Sequence, residues 1–341
     1  MRHPLSSALA LAGAAALFGA TPATAATPPG PVTVTDARVG ESSGLALSTR
    51  HPHTVWTVDD SGDAARVYAV DTRTGAVTGA HRFSTREPRD VEAVTTGPAG
   101  LYVGDIGDNL SLRRSVRVWV FPEPELGSTS ASARSYALRY PDGAHDAETL
   151  LVLADGTLVV VTKDDVGGVY VAPPLREGTT QTLRRVASAP AIRTDGVVLP
   201  GGRLAVLRGY LDAAVVSTRT WNVLATSPLP LQPQGEGIGL SGVDGQVLLS
   251  SEGLPWQLLT WALPTLPGTS TSGSGISRAD ASSAPLPSGT PVTATEPVWR
   301  RLPGSGVLAG VGRSVPPWVP LAGTGLVILA AVLLMRRRRR H

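Results

Sequence analysis

Residues 90–109 read DVEAVTTGPAGLYVGDIGDN, and this stretch decides the fold. Two apolar runs, each the length of a β-strand, flank a turn rich in glycine and proline, and acidic residues mark both outer ends. In an antiparallel hairpin, the start of the first strand lies beside the end of the second. We therefore expect Asp90 and Glu92 to lie close to Asp105 and Asp108.

Reduced copies of this pattern recur along the chain. Each begins with a polar residue, any residue, a second polar residue and a small residue, followed by an apolar run. The five openings are ESSGL at 41–45, DVEAV at 90–94, DAETL at 146–150, RTDGV at 193–197 and QGEGI at 234–238. Their third positions are separated by 49, 56, 47 and 41 residues. Such spacing is typical of four-stranded blades in a β-propeller.

The strand count predicts an all-β, five-bladed propeller at residues 26–264. Each of the first four repeats contains four candidate strands, whereas the fifth contains three. Residues 32–38, just upstream of the first repeat, can supply the missing strand. Closing the ring in this way removes the exposed sheet edges that invite aggregation. Six blades are the alternative, if one loop hides a degenerate blade.

Composition limits the functional classes. The 38 glycines and 29 prolines favour β-structure with many turns, and the lack of cysteine excludes disulfides and thiolate metal sites. The net charge is +3, but Arg2 and the five arginines at 336–340 lie in terminal segments. Without those six, 24 basic residues remain against 27 acidic ones. We therefore expect no nucleic-acid partner.

The N-terminal 25 residues have the pattern of a signal peptide. Arg2 precedes an apolar run at 8–20, and Ala23, Thr24 and Ala25 form a small-residue cleavage site. We expect export of the protein from the cytoplasm.

The C-terminal part predicts an anchor. A stalk rich in Ser, Thr, Pro and Gly spans 265–314, an apolar segment spans 315–335, and an arginine-rich tail spans 336–341. As a helix, the apolar segment would be about 31 Å long, enough to cross a bilayer core. The arginines would stay in the cytoplasm. The expected topology is a single pass with the propeller on the extracellular face.

The same segment supports a second interpretation. Residues 321–325 read LAGTG and precede an apolar run and the arginine tail, which resembles the LAxTG sorting signal of actinobacterial sortase substrates. That resemblance implies recognition through Leu321, cleavage between Thr324 and Gly325, and linkage of Thr324 to the cell wall. The run after the motif is short for such signals, so membrane anchoring and wall linkage both remain open.

In a propeller, the first strand of each blade lines the central channel, and alternate residues face the same way. This expectation puts one set of side chains, from blade starts and second-strand ends, at one mouth of the channel. Its principal members are Asp60, Asp90, Glu92, Asp105, Glu148, Lys163, Asp195, Arg208, Glu236 and Glu252.

Three interpretations of these residues compete. In the first, they only cap backbone groups and pair with one another. In the second, the hard oxygen ligands of the acidic stretch bind a divalent cation, with Ca²⁺ as the candidate cofactor. Its candidate ligands are Asp90, Glu92, Asp105, Asp108 and Asn109.

The third interpretation is catalysis. Over about 230 residues the chain resembles secreted β-propellers of the YncE-like and phytase-like kinds, and an actinobacterial group with ESSGLA, DDSGD, DxEA and GDIGDN stretches. A phytase-like site implies Ca²⁺ held by carboxylates; a glycosidase-like site would use paired carboxylates instead. The catalytic candidates are Glu92, Glu148 and Glu236. The candidates for ligand binding are Asp60, Lys163, Asp195, Arg208 and Glu252.

The sequence thus predicts a surface-anchored propeller whose mouth binds a divalent cation or a small polar ligand. A hydrolase acting on phosphoesters or glycans is the alternative, and a scaffold that binds a surface protein without catalysis is the third.

Overall fold

The computed structural model describes residues 30–60, 65–127, 129–130 and 132–266. The predicted signal peptide, the membrane or sorting segment with Leu321, Thr324 and Gly325, the arginine tail and nearly all of the stalk lie outside these residues. Within the described part of the chain, no helix is long and apolar enough to cross a membrane.

The regular elements of the described residues are strands. In chain order they are β1 (Val32–Val34), β2 (Ser42–Leu47), β3 (Thr54–Asp59), β4 (Arg66–Asp71), β5 (Val77–Arg82), β6 (Ala93–Gly97), β7 (Gly100–Asp105), β8 (Val116–Phe121), β9 (Arg134–Arg139), β10 (Ala147–Val152), β11 (Leu158–Thr162), β12 (Gly167–Val171), β13 (Thr180–Thr182), β14 (Arg184–Ala189), β15 (Asp195–Val198), β16 (Leu204–Arg208), β17 (Asp212–Ser217), β18 (Val223–Pro228), β19 (Gly235–Leu240), β20 (Gln246–Ser251) and β21 (Trp256–Ala262).

These strands form five sheets, which are the five blades of a propeller. From the channel outwards, the strand orders are β2-β3-β4-β5, β6-β7-β8-β9-β13, β10-β11-β12-β14, β15-β16-β17-β18 and β19-β20-β21-β1. Neighbouring strands are antiparallel, except that β13 adds to β9 in parallel and gives the second blade a fifth strand. The five-bladed fold predicted from the repeats is confirmed.

The ring closes as the sequence predicts. Strand β1 pairs antiparallel with β21, with Val32 opposite Leu258 and Val34 opposite Trp256. The closing strand is shorter than the predicted 32–38 because the chain turns after Val34, and the Asp36 carboxylate accepts hydrogen bonds from the backbone and guanidinium of Arg38. The last strand of the fourth blade begins at Val223, after a turn in which Trp221 has a positive φ of 59°.

The apolar side chains of the strands pack between blades. Five buried clusters can be separated in the described residues, one at each junction of neighbouring blades around the ring. Trp56 and Trp256 are among the largest fully buried side chains. Because the core lies between the blades, the polar residues that begin each innermost strand are left at the axis.

Candidate functional site

One backbone hydrogen bond recurs at the end of the channel where the innermost strands begin. The residue after a blade's second strand donates its N–H to the carbonyl of the residue that opens the repeat. This bond joins Asp60 to Glu41 at 3.0 Å, Lys163 to Asp146 at 2.9 Å and Glu252 to Gln234 at 3.0 Å. In these three blades, the end of the second strand is therefore fixed beside the start of the first.

This arrangement brings together carboxylates from blades that are far apart in sequence. We call this cluster the acidic mouth; its members are Asp60, Asp90, Glu92, Glu148, Lys163, Glu236 and Glu252. Charge interactions link these side chains to one another across the channel. The acidic mouth therefore contains six carboxyl groups and one ammonium group.

Three of these carboxylates form the tightest group. Asp60 follows β3 of the first blade, whereas Asp90 and Glu92 precede β6 of the second. One oxygen from each lies within 4.8 Å of the others. Asp60 and Glu92 are buried, with 8% and 3% of their surface exposed, and Asp90 is half-buried. Carboxylate oxygens so placed are the ligands that a hard divalent cation prefers.

The protonation of this trio reflects its crowding. Burial, followed by the charge of Asp60, raises the pKa of Asp90 to about 7. Burial and the charges of Asp60 and Glu148 also raise the pKa of Glu92 well above its usual range. Like charges in a poorly solvated site oppose ionisation of one another. A bound cation would remove that opposition.

Gly107 forms the wall behind the trio. A Cβ on this residue would lie 2.6 Å from Cγ of Asp90 and 2.8 Å from Cγ of Glu92. Real Cβ atoms do not approach other atoms so closely, so only glycine leaves both carboxylates where they are. The second glycine of the GDIGDN stretch, Gly107, is therefore needed to keep both carboxylates in place.

The loop after β7 is held by Arg113, which the sequence analysis did not single out. Its guanidinium pairs with Asp105 Oδ1 at 2.7 Å and donates to the carbonyl of Gly107 at 2.6 Å. The Asp108 carboxylate accepts hydrogen bonds from the backbone N–H groups of Leu112 and Arg113, at 3.0 and 2.6 Å. The signal in the sequence for these interactions is an arginine that follows two aspartates closely in the same loop.

The predicted metal ligands therefore have different surroundings. Asp90 and Glu92 lie together, and Asp60, predicted as a ligand-binding residue, completes their group. The Asp105 carboxylate pairs with Arg113 and accepts a hydrogen bond from the Asp90 backbone N–H at 3.1 Å, so it lies beside Asp90 as expected. The Asp108 carboxylate accepts hydrogen bonds within its own loop. Asn109 donates from Nδ2 to Asp90 Oδ2 at 3.4 Å, so it borders the trio.

Lys163 carries the positive charge of the acidic mouth. Its ammonium group donates to Glu148 Oε1 and lies 5.3 Å from the ring centroid of Tyr210, a cation–π geometry. Burial alone would lower the pKa of Lys163, but the charges of Glu148 and Glu236 raise it above its usual range. Lys163 is therefore charged at neutral pH.

Two glutamates of the acidic mouth each keep a carboxylate oxygen without a partner. Glu148 and Glu236 expose 3% and 2% of their surface, and Oε2 of each is buried with no hydrogen bond to the described residues. Burial raises the pKa of Glu148 to about 7, although Lys163 opposes the shift. Burial and the charge of Glu148 raise the pKa of Glu236 as well. Buried acceptors of this kind favour a ligand that brings donors or positive charge.

Arg208 has a mainly structural environment. Its guanidinium is fully buried and donates to the backbone carbonyls of Gly237 and Ser250, the latter at 2.8 Å. A further bond reaches Gln232 Oε1 at 2.8 Å. Burial lowers the pKa of Arg208 to about 10. These bonds tie the fourth blade to the fifth.

Asp195 lies deeper along the axis and helps to close the channel. Its Oδ2 accepts hydrogen bonds from the N–H groups of Ile238 at 2.8 Å and Leu45 at 3.3 Å. Burial raises the pKa of Asp195 to about 8, against the lowering effect of these bonds. The register shifts after Ser43, and Leu45 packs against Gly237 and Gly239 of the fifth blade. The bonds of Asp195 therefore join the fourth blade to the first and fifth across the axis.

Beyond Asp195, the opposite end of the channel is apolar. A cavity of about 260 Å³ opens there between the ends of the innermost strands. Leu45 and Val197 belong to its lining, which otherwise consists of small and aliphatic residues and two threonines. The two ends of the channel therefore differ, with charged side chains at one and an apolar lining at the other.

A hydrogen-bonded network at the edge of the third blade includes His145. Its Nδ1 lies 2.8 Å from Asp164 Oδ2 and its Nε2 lies 3.0 Å from the Tyr170 hydroxyl. The same hydroxyl donates to Asp142 Oδ2 at 2.9 Å. Because the imidazole is held on both sides, this network braces loops around the acidic mouth.

Comparison with known proteins gives similarity of fold only. No protein-family model and no curated protein matches the chain. A gluconolactonase from Xanthomonas campestris is similar over 68% of this chain and 96% of its own length, with 13% identity and a TM-score of 0.40. A streptogramin B lyase is similar over 67% and 97%, with 11% identity and a TM-score of 0.39. Hydrazine synthase from Kuenenia stuttgartiensis is similar over 64% and 57%, with 16% identity and a TM-score of 0.35.

Proposed function

We propose that the propeller binds a divalent cation at the acidic mouth, with Asp60, Asp90 and Glu92 as its protein ligands. The observation that carries the proposal is the convergence of three carboxylate oxygens, from two blades, within 4.8 Å. The backbone N–H of Asp60 is bonded to the carbonyl of Glu41. Asp90 and Glu92 lie against Gly107, in the loop that Arg113 braces. The site is therefore preorganised in the absence of the ion.

Calcium suits this donor set better than magnesium. Ca²⁺ takes six to eight oxygen ligands in irregular geometry, whereas Mg²⁺ requires near-octahedral geometry and keeps several waters. Three carboxylates from two blades form an irregular set of hard oxygen donors, and Asn109 adds an amide beside it. Water or a ligand oxygen would complete the coordination.

Calorimetric titration of the full chain with CaCl₂ and MgCl₂ tests this proposal. We expect saturable Ca²⁺ binding that Asp90→Asn and Glu92→Gln each weaken at least tenfold. Glu177→Gln is the matched control, because Glu177 is exposed and lies in the loop after β12 at the opposite end of the blade. Equal Ca²⁺ binding by wild type and both mouth variants would show that the trio is not the site.

A second candidate function is hydrolysis at the same mouth. The observation that favours it is the Glu148 carboxyl, whose pKa of about 7 suits a general acid or base at neutral pH, beside the charged Lys163. The excess of carboxylates favours a neutral substrate, such as a glycoside, over a phosphate ester. Turnover of a glycoside panel that Glu148→Gln abolishes would support an enzyme; no turnover at any pH would remove this candidate.

We also propose that the propeller works on the extracellular face of the cell. The support is the sequence alone: the signal-peptide pattern at the N-terminus and the apolar segment, LAGTG motif and arginine tail at the C-terminus. The calcium supply outside the cell agrees with a cation site of moderate affinity.

A further inference from the structure

The large aliphatic side chains that the described residues expose are unevenly distributed. Ten of them have high exposure, and seven lie in loops that join strands on the same face as the acidic mouth. These seven are Leu110, Leu112, Val166, Ile192, Leu211, Leu231 and Leu254. We call them the aliphatic rim. The other three are Val223, Leu224 and Val243.

The rim surrounds the mouth as a result of the topology. Its residues come from the second, third, fourth and fifth blades and from the links between them. Leu110, Leu211 and Leu231 expose 77%, 61% and 85% of their surface. Isolated exposed leucines need no explanation, but a group on one functional face is typical of an interaction surface.

Two rim segments are held outward by specific local structure. Leu112 donates its backbone N–H to the Asp108 carboxylate, and Arg113 braces the same loop, so its leucines project from a fixed loop. Ile192 has a φ of 53°, a left-handed conformation that is unfavourable for a β-branched residue. Backbone strain of this kind is concentrated at functional sites.

The centre of this face is acidic, whereas its rim is aliphatic. Glu148 and Glu236 each have a buried carboxylate oxygen without a partner, and Glu252 lies beside them. Lys163 is the one ammonium group among the residues of the acidic mouth. A partner that covers this face must therefore bring positive charge to the centre and apolar surface to the periphery.

We propose that this face docks a protein segment in which a lysine or arginine lies between aliphatic residues. The basic side chain would enter the acidic mouth and bond the free oxygens of Glu148 and Glu236, while the flanking aliphatic residues contact the rim. A charged donor to a buried carboxylate makes a strong hydrogen bond. An anionic lipid surface has the wrong charge for this centre.

This proposal does not rest on the cation site. The cation ligands Asp60 and Asp90 belong to the first two blades, whereas Glu148 and Glu236 belong to the third and fifth. The rim variant Leu110→Ser/Leu231→Ser separates the two: it keeps the cation of the first proposal and loses the peptide in this one.

Selection from a displayed library of random twelve-residue peptides on the immobilised full chain provides the test. We expect enrichment of peptides with one basic residue between aliphatic residues. A synthetic peptide from the enriched set should bind Leu110→Ser/Leu231→Ser and Glu148→Gln/Glu236→Gln at least tenfold more weakly. Val243→Ser is the matched control and should bind as the wild type does, because Val243 lies in the β19–β20 hairpin on the opposite face.

Three results would overturn the proposal: no enriched peptide, an enriched set without basic residues, or binding that the two rim substitutions leave unchanged. The rim variant keeps the test decisive even if the buried glutamate variant fails to fold, because both leucines are exposed. Sedimentation with phosphatidylcholine vesicles can give a fourth result that would overturn the proposal. Vesicle binding that the rim variant loses, without any peptide binding, would assign this face to a membrane instead.

Discussion

Gly107 lies against the carboxyl group of Asp90 so closely that a methyl group on its Cα would be 2.6 Å from both Cγ and Oδ2. The two residues close the same hairpin, and the Gly107 N–H donates to the Asp90 carbonyl at 3.3 Å. The acidic site therefore depends on the absence of a side chain as much as on its carboxylates.

Gly107→Ala should weaken Ca²⁺ binding at least tenfold, because the added methyl group displaces Asp90 and Glu92. Calorimetric titration measures the loss, and circular dichroism checks that the fold is kept. Gly127→Ala is the matched control, since nothing lies within 4 Å of a Cβ at that position. Unchanged calcium affinity in Gly107→Ala would contradict the proposed ligand set.

Arg113→Met should lower the free energy of unfolding by about 3 kcal/mol, because it leaves the buried Asp105 carboxylate without its positively charged partner. The side chains of Arg113 and Asp105 expose 9% and 6% of their surface. Urea unfolding measures the change. Arg38→Met removes an exposed pair with Asp36 and should cost less than about 1 kcal/mol. Equal losses in the two variants would show that the loop does not depend on Arg113.

The stability of the propeller should fall as the pH rises from 5 to 8. Burial raises the folded-state pKa of Asp195 to about 8, far above its value of about 3.9 in an unfolded chain. Between those values the folded state binds more protons, so its stability declines with rising pH and this contribution is lost above pH 8.

Asp195→Asn removes this titration and mimics the protonated carboxyl group. Thermal unfolding across the pH range should show a flatter profile for the variant, by more than about 1 kcal/mol, the equivalent of about one pKa unit. Asp244→Asn, in the exposed β19–β20 hairpin, should retain the wild-type profile. Parallel profiles for wild type and Asp195→Asn would mean that Asp195 ionises normally.

Thr324→Ala decides between the two predicted anchors. Sortase linkage requires Thr324, so fractionation of cells should move the protein from the wall to the membrane in the variant. If the wild type has no wall-linked form and the variant keeps its location, the membrane anchor is the correct interpretation.

Much of the architecture could be predicted from the repeats. Strand alternation and a spacing of 41 to 56 residues require a closed ring of short sheets, and the strand missing from the fifth repeat required β1. Boundaries were less accurate where local turns competed with the strand pattern. The turn at Asp36 ends β1 at Val34, short of the predicted end at residue 38.

The site was predictable only as a collection of residue types. The periodicity placed Glu92, Glu148 and Glu236 at equivalent positions, and all three are buried at the axis. It could not distinguish the environments of Asp60 and Asp105, since both lie at the end of a second strand, Asp60 just after β3 and Asp105 as the last residue of β7. Tyr210 and Arg113 lie in loops outside the repeat, and no periodic pattern marked them.

The sequence by itself favoured five blades over six and determined the closure of the ring and the acidic character of one mouth, because these follow from local periodicity. Tertiary structure alone decided which carboxylates converge, because that depends on side-chain packing between blades. It grouped the side chains of Asp60, Asp90 and Glu92 and paired Asp105 with Arg113. It also joined the first, fourth and fifth blades through the hydrogen bonds of Asp195.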